Sequence, residues 1–439
     1  MKNQQARNIA KYVIPTLLSN VCLALFTIID GAFVGQGAGP DALGAVNIAL
    51  PYTMVAAALY ILASIGGVAG FAVHIGRGEH DKANRVFTHS MIMLFTITVI
   101  LTIIGTCFTE PVCRFLGAND TYIEAACDYL FWYSVFMIPS GISYALQAFC
   151  RNDGAPTLVS VAVIVSTAAN IFGDWLLIFP FQMGTKGAAI ATGASQVIGL
   201  LVMLTHFARR NGILRFNKEK LNIKIFGEIV LHGLPEGISQ LVIPCMTLCM
   251  NRVIIGTIGD IGVNAFAVIS FVASFTVAIF FGTSEGLQPL FGQSYGAKKE
   301  KDLKYYFRMG MLINIVGSAA VLGVILLLTR HISIPFGADG ETVDYIVRVM
   351  PEFAWGFLIM SINVMICSYF YSTLHSIQAI IINLLRSLVF NMPIILLLPA
   401  VFGAEIVWYT FGIYELAAAI VVVLLLVVLQ KRGIIPNEK

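Results

Sequence analysis

Asp30 stands in the run Ile28-Ile29-Asp30-Gly31-Ala32-Phe33-Val34-Gly35, and Asp174 in Asn170-Ile171-Phe172-Gly173-Asp174-Trp175. Both are carboxylic acids inside long apolar runs, where an ionisable group costs several kcal/mol and is a candidate for function by default. Asn170 and Asp174 are four residues apart, on one face of a helix. If both runs enter the membrane from one side, a rise of ~1.5 Å per residue brings the two acids to similar depth in the outer half. Thr192 lies seven residues into a run entered from the opposite side, which is the same level. Two carboxylates, an amide oxygen and a hydroxyl at one level suit a hard cation, and two carboxylates can share a proton when the ion leaves. The alternative is that Asp30 and Asp174 lie apart, each hydrated near the outer interface.

Other polar residues in apolar runs are weaker candidates. Glu236 follows Pro235, and Glu285 precedes Gln288-Pro289. A substrate or gating role explains Glu236, Glu285 and Gln288 about as well as helix capping or hydration does. Glu352, Glu405 and Glu415 fall near expected outer ends and are read as solvated. Pro15 lies fifteen residues before Asp30 on the same run. It removes a backbone hydrogen bond and bends the helix, so the bend is either coupled to the occupancy of Asp30 or static.

These residues sit in a chain that no water-facing fold could carry. Of its 439 residues 58% are hydrophobic and 12% charged, and the mean hydropathy is +0.85. Soluble domains carry about 25% charge, so a soluble enzyme and a disordered chain are both excluded. Twelve apolar runs are each long enough to cross ~30 Å of hydrocarbon. They cover 11–34, 43–74, 87–109, 121–150, 156–180, 185–208, 224–250, 262–290, 307–329, 343–373, 377–400 and 405–430. Eight cysteines are scattered without a disulfide framework. The polar, basic stretch Met1–Lys11 and the long run after it do not resemble a cleavable signal peptide.

Orientation follows the basic residues. Of 27 Lys and Arg, all but Arg114, Lys186, Arg252, Arg330 and Arg348 fall on the side that carries both termini. That side holds Arg209, Arg210, Arg215, Lys218, Lys220 and Lys224 in the central loop, Lys298, Lys299, Lys301, Lys304 and Arg308 after span 8, and Arg386. Both termini are therefore expected in the cytoplasm.

The two halves repeat at an offset of 220. Pro15 aligns with Pro235, Ser19 with Ser239, Phe71 with Phe291, Gly76 with Gly296, Phe87 with Phe307, Met91 with Met311 and Gly117-Ala118 with Gly337-Ala338. One residue further on, Ser166 aligns with Ser387 and Asn170 with Asn391. Six spans per half make the repeats parallel, related by an axis along the membrane normal. The expected fold is an all-α polytopic membrane protein with twelve transmembrane helices in two pseudo-symmetric six-helix bundles. The boundaries are an N-lobe over 1–208, a cytoplasmic linker over 209–224 and a C-lobe over 225–439. Two similar lobes that rock about a central cavity suit transport by alternating access; an ancient duplication without mechanical meaning is the plainer reading.

Several motifs carry no chemistry here. Gly282-Thr283-Ser284-Glu285-Gly286 fits G-x-S-x-G but lies inside a transmembrane run. There is no Walker A sequence and no H-E-x-x-H. The seven histidines have no metal-ligand spacing, and His74, His80 and His89 flank a basic loop, where solvation is expected. Asn119-Asp120-Thr121 is a formal glycosylation sequon.

Taken in order and spacing, these features resemble the multidrug and toxic compound extrusion (MATE) family, and within it the bacterial MepA-like branch. The resemblance covers nearly the whole chain. It rests on Pro15 with Asp30-Gly31-Ala32-Phe33-Val34-Gly35, on Asn170-Ile171-Phe172-Gly173-Asp174, on Gln288-Pro289-Leu290 with Tyr295-Gly296-Ala297, and on the repeat. It implies a secondary antiporter, not an enzyme, that exports lipophilic or cationic drugs as Na⁺ or H⁺ enters. The family's N-lobe cation site maps onto Asp30, Asn170, Asp174 and Thr192, and its bending proline onto Pro15. Some branches also carry acids in spans 7 and 10. Here these spans read Leu241-Val242-Ile243-Pro244-Cys245 and Ile359-Met360-Ser361-Ile362-Asn363-Val364, without an acid, so coupling is expected in the N-lobe.

No cofactor is expected beyond the coupling ion. The expected partners are cationic or amphipathic small molecules and the lipid bilayer, with no nucleic acid, and the chain is expected to act as a monomer in a bacterial inner membrane. The competing readings are a lipid-linked precursor or polysaccharide flippase of the wider superfamily, and a receptor or scaffold without transport.

Overall fold

The structure, a computed structural model, describes all residues except 1, 38–39, 119, 121, 209–211, 219, 241, 334–339 and 432–439. Arg209, Arg210, Arg432 and Lys439 of the basic tally, Gly337-Ala338 of the repeat, Leu241, and Asn119 and Thr121 of the sequon thus lie outside the described residues. Among the described residues all regular structure is helical. The helices are α1 (Lys2–Gly37), α2 (Pro40–Gly76), α3 (His80–Cys107), α4 (Thr109–Phe115), α5 (Ile123–Val135), α6 (Met137–Asn152), α7 (Pro156–Ile178), α8 (Gly184–Ala208) and α9 (Ile223–Ser239). They continue with α10 (Val242–Thr257), α11 (Asp260–Gly296), α12 (Glu300–Ser333), α13 (Gly340–Ala354), α14 (Gly356–Ser372), α15 (Ser376–Leu384), α16 (Asn391–Phe402) and α17 (Thr410–Lys431). A π-helical turn, Leu385–Phe390, joins α15 to α16, and a 3₁₀ turn, Ala404–Tyr409, leads into α17.

Ten segments are long and apolar enough to cross a bilayer unaided. The other two expected spans, 121–150 and 224–250, are each broken into a pair of short helices. Proline accounts for both breaks. Pro139 lacks the N–H that would bond the carbonyl of Val135, where α5 ends. Pro244, third in α10, lacks the one that would bond Gln240. Near a helix start this loss is tolerated, because those N–H groups have no helical partner anyway. Among the described residues twelve spans thus remain; span 343–373 is likewise divided between α13 and α14, and span 377–400 is interrupted by the π turn.

The chain divides into two compact units, Arg7–Gly233 (the N-unit) and Leu234–Lys439 with Met1–Ala6 (the C-unit). In lipid no hydrophobic force draws helices together, so contact depends on small residues and on side-chain hydrogen bonds. The N-unit follows that rule. A Cβ on Gly173 of α7 would stand 3.1 Å from Cβ of Ala191 on α8, and Ser166 Oγ donates to the carbonyl of Ser195 at 2.8 Å. Helices α2 and α9 cross more closely still. A Cβ on Gly66 would lie 2.0 Å from the carbonyl oxygen of Ile229, and one on Gly233 would lie 1.9 Å from that of Leu62.

Residues 212–218 and 220–222 form a strap bonded to the N-unit. Asp153 accepts from the backbone N–H groups of Ile213 at 2.9 Å and Leu214 at 3.3 Å, and contacts His206 Nε2 at 2.8 Å. Asn84 Oδ1 and Thr88 Oγ1 accept from Arg215 and Asn217, each at 2.8 Å. His89, expected in solvent, is instead 1% exposed. Its Nε2 accepts the Asn222 N–H at 2.9 Å while Nδ1 lies 2.7 Å from the Arg85 carbonyl, so the returning strap covers it.

The C-unit is built around an aromatic core that includes Phe266, Phe353, Phe357, Trp408 and Phe411. It overturns two expectations. Glu415, read as a solvated end, is fully buried, and Arg386, counted as a loop base, is 3% exposed. The two form one ion pair inside the unit.

Candidate functional site

Asp30 on α1 and Asp174 on α7 come within hydrogen-bonding reach of each other. Asn170, one turn before Asp174, donates from Nδ2 to Thr192 Oγ1 on α8 at 3.3 Å. The four residues singled out from the sequence therefore form one cluster in the N-unit. Its oxygens are conspicuously undersupplied. Asp30 Oδ1, both carboxylate oxygens of Asp174 and Asn170 Oδ1 are buried without a hydrogen-bond donor. Buried oxygens are nearly always paired, so this group fits a cation or a shared proton: all-oxygen, anionic and close-set.

One turn beyond each acid the surroundings become dry. Val34 and Ile178 join Tyr129 of α5 and Ala188 and Ala189 of α8 in a buried apolar cluster. Toward the Pro156 end of α7 lies a cavity of about 360 Å³ whose lining includes Asn170, Ser166, Gln147 and Gln196. Asn170 thus links the acid cluster to a cavity of mixed polar and apolar lining, on the side of the acids away from the apolar cluster.

Pro15 and its repeat mate Pro235 share an unforeseen feature. The carbonyl of Pro15 accepts from Ser160 Oγ of α7 at 2.6 Å, and the carbonyl of Pro235 from Asn383 Nδ2 of α15 at 2.6 Å. Ser160 and Asn383 lie on spans 5 and 11, which correspond in the repeat. In α1 Thr16 Oγ1 also bonds back to the Tyr12 carbonyl at 2.7 Å and Ser19 Oγ to that of Pro15 at 2.9 Å, contacts that bend helices.

Glu236, Glu285 and Gln288 gather in the C-unit. Glu236 is 8% exposed and within electrostatic range of Glu285 and Arg386. Gln288 donates to the hydroxyl of Tyr371, which is itself within range of both glutamates. The repeat mates of the N-unit acids are apolar: Asp30 corresponds to Met250 and Asp174 to Ile395, both fully buried in the C-unit core. Only the amide persists, as Asn391, whose side-chain atoms are buried and unpartnered.

The residues missed from the sequence are Arg386, Glu415 and Asn363. Arg386 Nη2 donates to Glu415 Oε1 at 2.7 Å and Nε to Oε2 at 3.0 Å. Asn363 Nδ2 adds a bond to Oε2 at 2.7 Å. Counting ten residues into spans 11 and 12 at ~1.5 Å each would have placed both ions mid-membrane.

Two repeated bundles, broken spans and a buried acid cluster together define a polytopic transporter. The MatE family profile matches residues 15–176 and again 235–397, one match per half. The chain belongs to the MatE family, whose members are membrane transporters and not enzymes. The Multidrug export protein MepA of Staphylococcus saprophyticus is 23% identical over 440 residues, covering 98% of this chain and 95% of that protein. The Probable multidrug resistance protein YoeA of Bacillus subtilis is 25% identical over 370 residues, covering 80% and 78%. Among solved structures, a MATE protein in its straight conformation aligns with a TM-score of 0.90 at 22% identity, covering 96% of this chain and 95% of that one. A bent conformation aligns with a TM-score of 0.87 at 22% identity, covering 96% and 94%.

Proposed function

We propose that this protein is a secondary antiporter that exports lipophilic, cationic or amphipathic small molecules as Na⁺ or H⁺ enters, by alternating access. The observation that carries the ion half of this reading is the set of buried, donor-less oxygens on Asp30, Asp174 and Asn170. Sodium would be held by the two carboxylates with Asn170 and Thr192; a proton would be shared between the carboxylates. The two ions would compete for the same oxygens. The Multidrug export names of relatives that align along nearly their whole length support the cargo half.

The basic-residue bias supports both termini in the cytoplasm of a bacterial plasma membrane, and the acid site lies within one unit of one chain, as a working monomer requires. Coupling belongs to the N-unit, since Met250 and Ile395 leave the corresponding C-unit positions without a charge. The test is efflux of a fluorescent organic cation from proteoliposomes under separately imposed Na⁺ and H⁺ gradients. Either gradient alone is expected to drive efflux. Efflux that ignores both would overturn the reading.

A further inference from the structure

Helices α10, α11, α13, α14 and α17 of the C-unit contribute to a cavity of about 540 Å³. Four of its twelve lining residues are aromatic. Phe353 and Phe411 stack with centroids 4.6 Å apart, while Phe357 and Tyr414 meet Phe411 edge-on at 5.2 and 5.6 Å. Such walls accept the flat face of an apolar molecule. Thr247, Ser270, Ser274 and Glu415 interrupt them, and the Ser270 hydroxyl is buried without a partner.

Charge decides which aromatic molecule fits. Glu415 is gripped at both oxygens by Arg386, which stands behind it rather than on the cavity wall. Both ions are buried, so the wall carries a carboxylate edge but no net charge. An organic cation would bring a positive charge to a wall whose only acid already has its counter-ion, and burying an uncompensated charge is costly. An uncharged donor meets no such penalty. A carboxylate offers about four acceptor positions. Arg386 takes two and Asn363 a third, which leaves one for a ligand O–H or N–H; Ser270 lines the same cavity.

We infer that this C-unit cavity is a binding site for net-uncharged aromatic molecules that carry an O–H or N–H donor. The site is separate from the acid cluster of the N-unit. Arg386 sets its charge preference by cancelling Glu415. The inference rests on the reading of the chain as a small-molecule exporter.

The test is equilibrium dialysis of the purified full chain in phosphatidylcholine nanodiscs, with empty nanodiscs subtracted. The probes are 1-naphthol and 1-naphthyltrimethylammonium, which share a ring system and differ in donor and charge. Naphthol is expected to bind at least tenfold more tightly. Ala273→Phe, which fills the cavity from its wall, is expected to weaken naphthol binding at least tenfold. Arg386→Gln leaves Glu415 without its counter-ion and is expected to tighten binding of the cationic probe at least tenfold.

Tighter or equal binding of the cation by the wild type overturns the inference, as does unchanged naphthol binding in Ala273→Phe. Those two arms decide the matter even where Arg386→Gln fails to insert. Asp174→Asn is expected to lose gradient-driven efflux yet bind naphthol as the wild type does. A wild-type chain that binds naphthol as described but ignores both gradients would remove the antiport reading and leave this one standing.

Discussion

Replacing Asp174 by asparagine preserves shape and removes one charge from the N-unit site. A cation held between Asp30 and Asp174 lies about 4 Å or less from each carboxylate centre. At an effective dielectric constant of about 20 one such interaction is worth about 4 kcal/mol, or about a thousandfold in Kd. Bulk salt should dilute this little, because the apolar cluster of Val34, Ile178, Ala188 and Ala189 caps one side and buried pairs are weakly screened. Asp30→Asn removes the same charge from the other helix and is expected to act alike. Thr192→Ala removes one neutral ligand worth about 1 kcal/mol, so about a fivefold to tenfold loss is expected. The assay is binding of radiolabelled sodium to purified protein, followed by dye efflux against sodium concentration in proteoliposomes, with insertion verified for each variant. Lowering the pH should weaken sodium binding in the wild type, because a proton on either carboxylate removes the charge that holds the metal. An Asp30→Asn, Asp174→Asn double variant that keeps wild-type coupling would refute the assignment.

Cysteine labelling should place Lys218 and Lys299 in the cytoplasm and Asp120 outside; labelling of Lys218 and Asp120 positions from one side would end the twelve-span topology. Ser160→Ala and Asn383→Ala should each remove one hydrogen bond to a proline carbonyl, costing about 1 kcal/mol and read as a lower melting temperature. Equal melting of both variants and the wild type would show that neither clamp bears load. Glu415→Gln should destabilise the folded chain by about 3–5 kcal/mol by stranding Arg386, whereas Arg386→Met with Glu415→Leu should melt near the wild type. A double variant as unstable as the single one would show that the pair does more than balance its own charge. Gly66→Ala should prevent normal packing of α2 on α9, seen as aggregation in size-exclusion chromatography.

The spans, their number and the repeat were legible in the sequence because hydropathy and periodicity are properties of neighbouring residues. The four-residue cluster of Asp30, Asn170, Asp174 and Thr192 was legible for a related reason. Depth in a bilayer is a length along each helix, so residues on different spans can be compared by counting. The one-residue slip of the repeat between Gly337-Ala338 and Ser387 also has a counterpart, since a π turn is how a helix takes in one extra residue, and Leu385–Phe390 is such a turn.

What the sequence concealed are pairings across helices. Arg386 counted as a loop base and Glu415 as a solvated end, because a charge tally records sign and not neighbours. Only the packing of α17 against the π turn cancels one with the other. His89 read as a surface histidine because its own stretch is basic; the strap that buries it returns 133 residues later. Ser160 and Asn383 carry no local signature at all, since a hydroxyl or amide in an apolar helix becomes a clamp only when another helix brings a proline carbonyl to it. Composition and spacing act along the chain and determined the spans and the level of the acids. Hydrogen bonds and ion pairs act through space between segments far apart in sequence, and those the tertiary structure alone decided.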